Sequence, residues 1–132
     1  MVASGWGRVI NISSVHGLVA SVNKSAYVSA KHGIVGFTKA VALEYAKKGI
    51  TCNAICPGWV FTPLIEKQIN IIAERDKISF DDAYVKLVSE KQPSGKASTT
   101  EDLGELAAFL VSDNARQVNG AAWTMDGGWT AQ

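Results

Sequence analysis

The sequence lacks the features of nucleic-acid-binding, membrane-spanning and secreted proteins. Its net charge is only +1, and no run of Lys or Arg is longer than the pair Lys47 and Lys48, so the basic surface that nucleic acid requires is missing. No apolar run approaches the ~20 residues of a membrane span, and the N-terminus "MVASGWGRVI" lacks the charged and apolar regions of a secretion signal. We therefore expect a cytoplasmic protein whose partners include neither nucleic acid nor a membrane.

Cysteine is also scarce. The two cysteines, Cys52 and Cys56, lie in "ITCNAICPG", which has the character of a strand. At ~3.3 Å per residue they would be roughly 13 Å apart, which is too far for a disulfide. No His or further Cys stands at ligand spacing, so we predict two reduced core thiols and no metal site.

What is present is an alternation of strands and helices, in a length of 132 residues that suits one core. The run "GRVINISS" predicts a buried strand that ends at Ser14, and "ITCNAIC" predicts a second strand that halts at Pro57 and Gly58. Residues 25–48 have helical spacing and meet Gly49 as a C-cap. The apolar positions that show this spacing are Ile34, Phe37, Val41 and Tyr45.

Residues 59–96 interrupt this rhythm with two amphipathic segments, 63–75 and 80–91, which predict a helical lid after a strand end. "STTEDLGELAAFLVSD" then predicts a capped helix, and "GAAWTMDGGWT" predicts a third strand with a glycine turn. This order predicts an α/β fold with a parallel sheet and crossover helices, in which ligands bind at the carboxyl ends of the strands. In this sequence those ends are Ser14, Pro57, Gly58 and residues 126–128.

The stretch "SAYVSAKHG" places Tyr27 and Lys31 four residues apart, so that the two side chains share one face of a helix. An ammonium beside a phenol favours the phenolate, which is the form that can take a proton. This spacing alone is common, and an ordinary helix face is the alternative. Ser14 adds a hydroxyl at a strand end that can polarise a carbonyl oxygen, so the three residues are candidates for acid/base catalysis.

Four segments in order, "NISSVHG", "SAYVSAKHG", "NAICPGWVFTP" and "DGGWT", resemble the C-terminal half of the short-chain dehydrogenase/reductase family, and within it the bacterial D-3-hydroxybutyrate dehydrogenases. The resemblance implies the C-terminal half of a Rossmann-type, doubly wound parallel sheet with about three strands. It also implies an oxidoreductase that transfers a hydride between NAD and a small hydroxy acid, with D-3-hydroxybutyrate and acetoacetate as the expected pair. NADP in place of NAD stays open.

The same resemblance implies roles for individual residues. Tyr27 would be the general acid/base, Lys31 would hold the nicotinamide ribose, and Ser14 would hold the substrate oxygen. The residues expected to line the nicotinamide are Pro57, Gly58, Val60 and Thr62. The residues expected to contact the substrate are His16, Lys24 and Gln68 at its carboxylate, and Trp59 and Trp129 as aromatic walls. Taken singly, Lys24 and Gln68 also suit a solvated surface and the tryptophans an ordinary core.

Members of this family are about twice as long, and the glycine-rich phosphate loop of their first half has no counterpart in this sequence. We therefore expect residues 1–132 to be a partial domain whose sheet exposes an edge and a face. Family members commonly pack the helix that here carries Gly33, Gly36 and Ala40 into a subunit interface, so a homodimer or homotetramer is expected. The alternative to an enzyme is a catalytically silent fragment that acts as an oligomeric interaction module.

Overall fold

The computed structural model describes residues 1–131, which form three strands and four α-helices. In chain order these are β1 (Gly7–Ile12), α1 (Ser25–Tyr45), β2 (Ile50–Pro57), α2 (Pro63–Asp76), α3 (Phe80–Ser89), α4 (Thr100–Val111) and β3 (Ala122–Met125). Short 3₁₀ turns are Val2–Ser4, Val15–Gly17, Ala46–Lys48, Asp113–Ala115 and Trp129–Ala131. This order confirms the predicted α/β fold.

The sheet has the order β1-β2-β3, and both strand pairs are parallel. The register aligns Ile12 with Ile55 and Pro57 with Met125, so the carboxyl ends of the strands lie at one edge of the sheet. Every residue of β2 is buried. Because successive side chains of a strand point to opposite faces, both faces of this central strand are covered.

Two asparagines join β2 to the chain that precedes β3. The Asn53 side chain, which is buried, donates to the Val118 carbonyl over 2.8 Å and accepts from the Ala121 N–H over 3.0 Å. The Asn119 side chain accepts from the Cys52 N–H over 2.9 Å. Because these amides satisfy backbone groups that strand pairing leaves free, they anchor β3 beside β2.

Cys52 and Cys56 are buried in β2 and both thiols are free, which confirms the prediction of two reduced core thiols. Burial raises the pKa of each thiol and so keeps it protonated. Within residues 1–131, no group of three or more His, Cys, Asp or Glu side chains is placed to hold a metal ion. None of the helices in that range is both long and apolar enough to cross a membrane.

Helix α1 buries a different face from the one that its larger apolar residues occupy. Its buried residues are Val35, Thr38 and Ala42, whereas Phe37, one of the positions whose spacing indicates the helix, is 59% exposed. Small side chains on the inner face permit a close approach to the sheet, where the Asn11 side chain donates to Thr38 Oγ1 over 2.9 Å. The larger side chain of Phe37 is therefore left on the outer face.

Residues 59–96 contain α2 and α3, which pack on each other beside the strand ends. The start of this segment is hydrogen-bonded to Ser98, two residues after its end: the Phe61 N–H donates to the Ser98 carbonyl over 2.8 Å, and the Ser98 N–H donates to the Trp59 carbonyl over 2.9 Å. The predicted pair of helices is confirmed. These bonds close the base of the pair, and the Ser94 N–H, which donates to the Gly127 carbonyl over 3.0 Å, also joins the end of the segment to the chain after β3.

Helix α4 begins where the sequence predicts a cap. Thr99 and Asp102 form a capping box, in which the Thr99 side chain accepts from the Asp102 N–H over 3.0 Å and the Asp102 carboxylate accepts from the Thr99 N–H over 2.7 Å. The helix lies against β1 and β2 with Leu110 buried. After this helix the chain continues to β3, the third strand of the sheet.

Candidate active site

A cavity of about 360 Å³ opens at the carboxyl ends of the strands. Apart from Lys31 and the strand end at residues 126–128, every residue that the sequence nominates for ligand binding lines it. These lining residues are Ser14, His16, Lys24, Tyr27, Pro57, Gly58, Trp59, Val60, Thr62, Gln68 and Trp129. The sheet and the base of the α2–α3 pair thus bring together positions that are far apart in the sequence.

The chain that leaves β1 enters the cavity through Ser13 and Ser14, which are both buried. Ser13 Oγ donates to the Lys31 carbonyl on α1 over 3.0 Å, which ties this turn to the helix. Ser14 caps the turn Val15–Gly17, with its Oγ accepting from the His16 N–H over 3.1 Å. Because that bond uses only a lone pair, the Ser14 O–H remains a hydrogen-bond donor at the cavity wall.

Helix α1 carries Tyr27 and Lys31 on one face, as their spacing predicts. Lys31 Nζ lies 5.6 Å from the centroid of the Tyr27 ring and donates to the carbonyl of Ile12, the last residue of β1, over 3.0 Å. That bond fixes the ammonium at the strand end. Tyr27 is 46% exposed and lines the cavity, so Lys31 stands beside the phenol and outside the lining.

His16 is buried, with only 3% of its surface exposed. Its ring meets Tyr27 and Trp129 edge-on, with ring centroids 5.9 Å and 5.5 Å away. Burial and, after it, the positive charge of Lys24 lower the pKa of His16, so its imidazole is neutral near neutral pH. Its Nδ1 is fully buried and has no hydrogen-bond partner among residues 1–131, while the residue as a whole borders the cavity.

Lys24 and Gln68 reach the same cavity from two different elements. Lys24 is the residue before α1 and is exposed, and Gln68 lies on α2 and is half-buried. Asn23, with a left-handed φ of 61°, turns the chain just before Lys24. One cation, one amide and the His16 imidazole therefore border a single space, which is a suitable surrounding for a carboxylate.

Trp59 and Trp129 form an aromatic wall of the cavity, with ring centroids 5.9 Å apart and planes inclined by 41°. The turn that carries Trp129 is held by the buried carboxylate of Asp126, which accepts from the Gly128 N–H over 3.1 Å and from the Thr130 N–H over 2.9 Å. Burial raises the pKa of Asp126, but the hydrogen bonds to its carboxylate, from the Thr130 hydroxyl first and then from the two N–H groups, outweigh burial and leave the pKa lowered. The carboxylate is thus stable in the folded chain and orients the turn.

The connection from β2 to α2 has the character required beside a flat ring. Gly58 has no room for a side chain, because a Cβ there would lie 2.5 Å from Gln92 Oε1 and 3.0 Å from Asp126 Cα. Thr62 occupies the N-cap position of α2 but its side chain makes no capping bond, so the hydroxyl is available to an amide. These backbone surfaces and short side chains fit the nicotinamide that the resemblance implies.

Some residues of the site have no signal of their own in the sequence. The lining residues that the sequence analysis does not nominate are Ser13, Val15, Leu64 and Ile65. Gln92 lies behind the wall, where its Oε1 accepts from the Trp59 N–H over 3.0 Å. It is embedded in the polar segment "KQPSGK", and no periodicity or motif distinguishes it there.

Comparison with known proteins agrees with this geometry. A family model described as "Enoyl-(Acyl carrier protein) reductase" matches residues 1–130. The chain is 62% identical over 127 residues to the D-beta-hydroxybutyrate dehydrogenase of Cupriavidus necator, covering 96% of this chain and 49% of that protein. It is 53% identical over 132 residues to the D-beta-hydroxybutyrate dehydrogenase of Rhizobium meliloti, and this match covers 100% of this chain and 51% of that protein. The chain spans about half the length of these curated relatives.

A similar solved structure is that of a variant of actinorhodin polyketide ketoreductase with NADPH. The two superpose with a TM-score of 0.87 at 35% sequence identity, over 100% of this chain and 50% of that chain. The backbone of this chain therefore matches that of the ketoreductase along its whole length and not only at the motifs. On the family match, the relatives and this superposition together, the chain belongs to the short-chain dehydrogenase/reductase family.

Proposed function

We propose that this chain is the catalytic and substrate-binding half of an NAD(P)-dependent dehydrogenase that oxidises a small hydroxy acid, and that its substrate pair is D-3-hydroxybutyrate and acetoacetate. The observation that carries the proposal is the meeting of Ser14, Tyr27 and His16 in one cavity of about 360 Å³. The names of the two D-beta-hydroxybutyrate dehydrogenases that resemble the chain support the choice of substrate.

Proton transfer belongs to Tyr27 in this proposal. In the oxidation, its phenolate oxygen takes the proton of the substrate hydroxyl, and in the reduction it returns that proton to the carbonyl oxygen. The Lys31 ammonium, 5.6 Å from the ring centroid, stabilises negative charge on the phenolate. Ser14 donates its O–H to the same substrate oxygen and so holds it beside the tyrosine.

The carboxylate of the substrate is held at the other side of the cavity. Lys24 supplies the positive charge, and a charge-assisted hydrogen bond of this kind is stronger than a neutral one. The neutral imidazole of His16 and the amide of Gln68 add hydrogen bonds without further charge. Trp59 and Trp129 confine the short carbon skeleton between these two ends.

The β2–α2 connection and Lys31 would hold the cofactor. The residues concerned in that connection are Pro57, Gly58, Val60 and Thr62. When bound, the nicotinamide supplies the acceptor or donor of the hydride. NAD is the expected cofactor, and because the similar ketoreductase carries NADPH, both nucleotides belong in the assay. The predicted lid, residues 59–96, would close over the bound substrate.

Replacement of the proposed acid/base residue tests this function. With D-3-hydroxybutyrate and excess NAD, we expect wild-type chain to form NADH and Tyr27→Phe to lose at least ~100-fold in kcat, because the proton acceptor is gone. Tyr45→Phe, at the exposed end of the same helix, is the matched control and is expected to keep wild-type activity. A Tyr27→Phe variant as active as wild type would refute the assignment.

A second candidate function is an oligomeric interaction module without catalysis. The observation that favours it is the amount of exposed apolar side chain on α1, where Phe37 is 59% and Leu43 is 82% exposed. The same assay separates the two functions. A folded, associated chain that forms no NADH with either nucleotide would favour the interaction module, and turnover abolished by Tyr27→Phe would favour the enzyme.

A further inference from the structure

Gln92 is an unusual glutamine in that only 1% of its surface is exposed. Its place in the chain is the turn that follows α3, at the end of the α2–α3 pair. The backbone is fixed there, since the Gln92 N–H donates to the Val88 carbonyl over 3.0 Å and the Gln92 carbonyl accepts from the Gly95 N–H over 2.9 Å. A long amide side chain is buried only where its polar atoms are paired.

Both polar atoms of the Gln92 side chain are paired, and both partners are backbone groups of the segment that carries the lid helices. Oε1 accepts from the Trp59 N–H over 3.0 Å, and Nε2 donates to the Lys96 carbonyl. Trp59 lies at the start of this segment and Lys96 near its end. One side chain therefore connects the entry and the exit of the α2–α3 pair.

The same amide lies between the residues that follow β2 and β3. A Cβ on Gly58 would lie 2.5 Å from Gln92 Oε1, and a Cβ on Gly127 would meet Ser94 Oγ first and would lie 2.6 Å from Gln92 Cγ. Glycine at both positions leaves room for the glutamine, and at Gly127, where φ is 54°, it also leaves room for Ser94. Each of them lies one or two residues before a tryptophan of the cavity wall, Trp59 after β2 and Trp129 after β3.

We propose that Gln92 is a positioning residue that sets the separation of Trp59 and Trp129 and thereby the size of the substrate that the cavity accepts. The inference rests on the proposed function for the identity of the substrate. Its structural part, the placement of the two indole rings at 5.9 Å, is independent of turnover. Gln92 touches neither the reacting atoms nor the proton donors, and so acts through the aromatic wall.

Fluorine NMR of the full chain labelled with 5-fluorotryptophan tests the structural part. Resonances are assigned with single Trp→Phe variants, and Trp6, which does not line the cavity, serves as the internal reference. Gln92→Met retains the length of the side chain but has no atom to pair with the Trp59 N–H or the Lys96 carbonyl. We expect it to shift the resonances of Trp59 and Trp129 and to leave Trp6 in place.

Asn53→Leu is the matched control, because Asn53 is an equally buried amide of the sheet that does not line the cavity. It is expected to disturb Trp123 on β3 and to leave the two cavity tryptophans unchanged. Unchanged cavity resonances in Gln92→Met, or an equal shift of them in Asn53→Leu, would overturn the proposal. Where Gln92→Met does not fold, Gln92→Asn replaces it: it retains an amide but is one methylene too short to reach both backbone partners, and the same shifts of Trp59 and Trp129 are expected.

Kinetics test the consequence for substrate size. With D-3-hydroxybutyrate, we expect Gln92→Met to raise KM about tenfold and to leave kcat and the KM for NAD near wild-type values. We also expect it to narrow the preference for D-3-hydroxybutyrate over the longer D-3-hydroxyhexanoate. An unaltered KM and preference, with wild-type chain active, would refute the role in specificity. Absence of wild-type turnover would refute the proposed function instead, and the NMR comparison would still decide the placement of the indoles.

Discussion

At the scale of single residues, His16 shows most clearly how the fold alters a side chain. In the sequence it follows Val15 in an apolar stretch, but in the structure it is enclosed between Tyr27 and Trp129 with Lys24 nearby. Enclosure removes water from the imidazole and disfavours its charged form. A neutral imidazole can donate one hydrogen bond to a carboxylate without the desolvation cost of a second buried cation.

The lowered pKa of His16 has a consequence for stability. Because the pKa of His16 in the folded chain lies below the ordinary value of 6.5, the unfolded chain binds more protons at this residue in that range. The contribution of His16 to the free energy of unfolding therefore falls as the pH drops below 6.5. Urea unfolding at about pH 7.5 and about pH 5.5 measures this loss. We expect the free energy of unfolding of His16→Asn to fall less between these two pH values than that of wild type. An equal fall in the variant and in wild type would contradict the expectation. His32→Asn is the control: this exposed histidine of α1 is the last of the causes that lower the pKa of His16, so we expect its replacement to change the loss much less.

At the scale of secondary-structure elements, the ends of β2 and β3 are closely packed while the surfaces of the helices are open. Gly58 follows β2 and has Gln92 and Asp126 within 3.0 Å of the place where a side chain would begin. Gly104 lies within α4 and has nothing within 4 Å of that place. The same residue type therefore serves close packing at one position and only weakens a helix at the other.

Alanine at these two glycines should change stability in opposite directions. Gly58→Ala forces the Gln92 amide or the β3 end to move, and we expect a loss of about 1–3 kcal/mol in the free energy of unfolding. Gly104→Ala removes backbone freedom from the unfolded chain, and we expect a gain of about 0.5–1 kcal/mol. Thermal or urea unfolding of both variants measures the difference. Equal effects would show that the crowding at Gly58 is relieved without cost.

At the scale of the whole molecule, one side of α1 is flat and apolar. Gly33 and Gly36 have nothing within 4 Å of their Cβ positions, and Ala40 continues this side of the helix. Phe37 and Leu43 are exposed beside them. Within residues 1–131, β1 pairs only with β2, so its outer edge is also open. A surface of this kind favours association between copies of the chain.

Self-association through this face gives a direct test. We expect wild-type chain to sediment and scatter light as a dimer or larger species, and Phe37→Glu to shift it toward monomer, because a carboxylate on a buried apolar contact loses its hydration. Val85→Glu, which alters an equally exposed apolar residue on α3 (55% against 59%), is the control and should associate as wild type does. A monodisperse wild-type monomer at all concentrations would contradict this prediction.

The order and type of the elements followed from local sequence, and the reason is physical. Helical spacing, the Thr99 capping box and Gly49, which adopts a left-handed φ of 70° after the last turn of the first helix, act within a few residues of chain. The strand ends followed as well, since parallel strands bring their carboxyl ends to one edge. The sequence alone therefore places Ser14, Pro57 and Gly58 near one another.

What the sequence by itself determined is thus the α/β alternation, the family and most of the residues that border the cavity. Only the tertiary structure decided which face of α1 is buried, because packing against β2 selects small side chains such as Thr38 and Ala42 over Phe37. It also decided the role of Gln92, whose hydrogen-bond partner Trp59 is 33 residues away. A contact between residues this far apart in the sequence cannot be predicted from a helical or strand period, because it depends on where two distant turns meet in space.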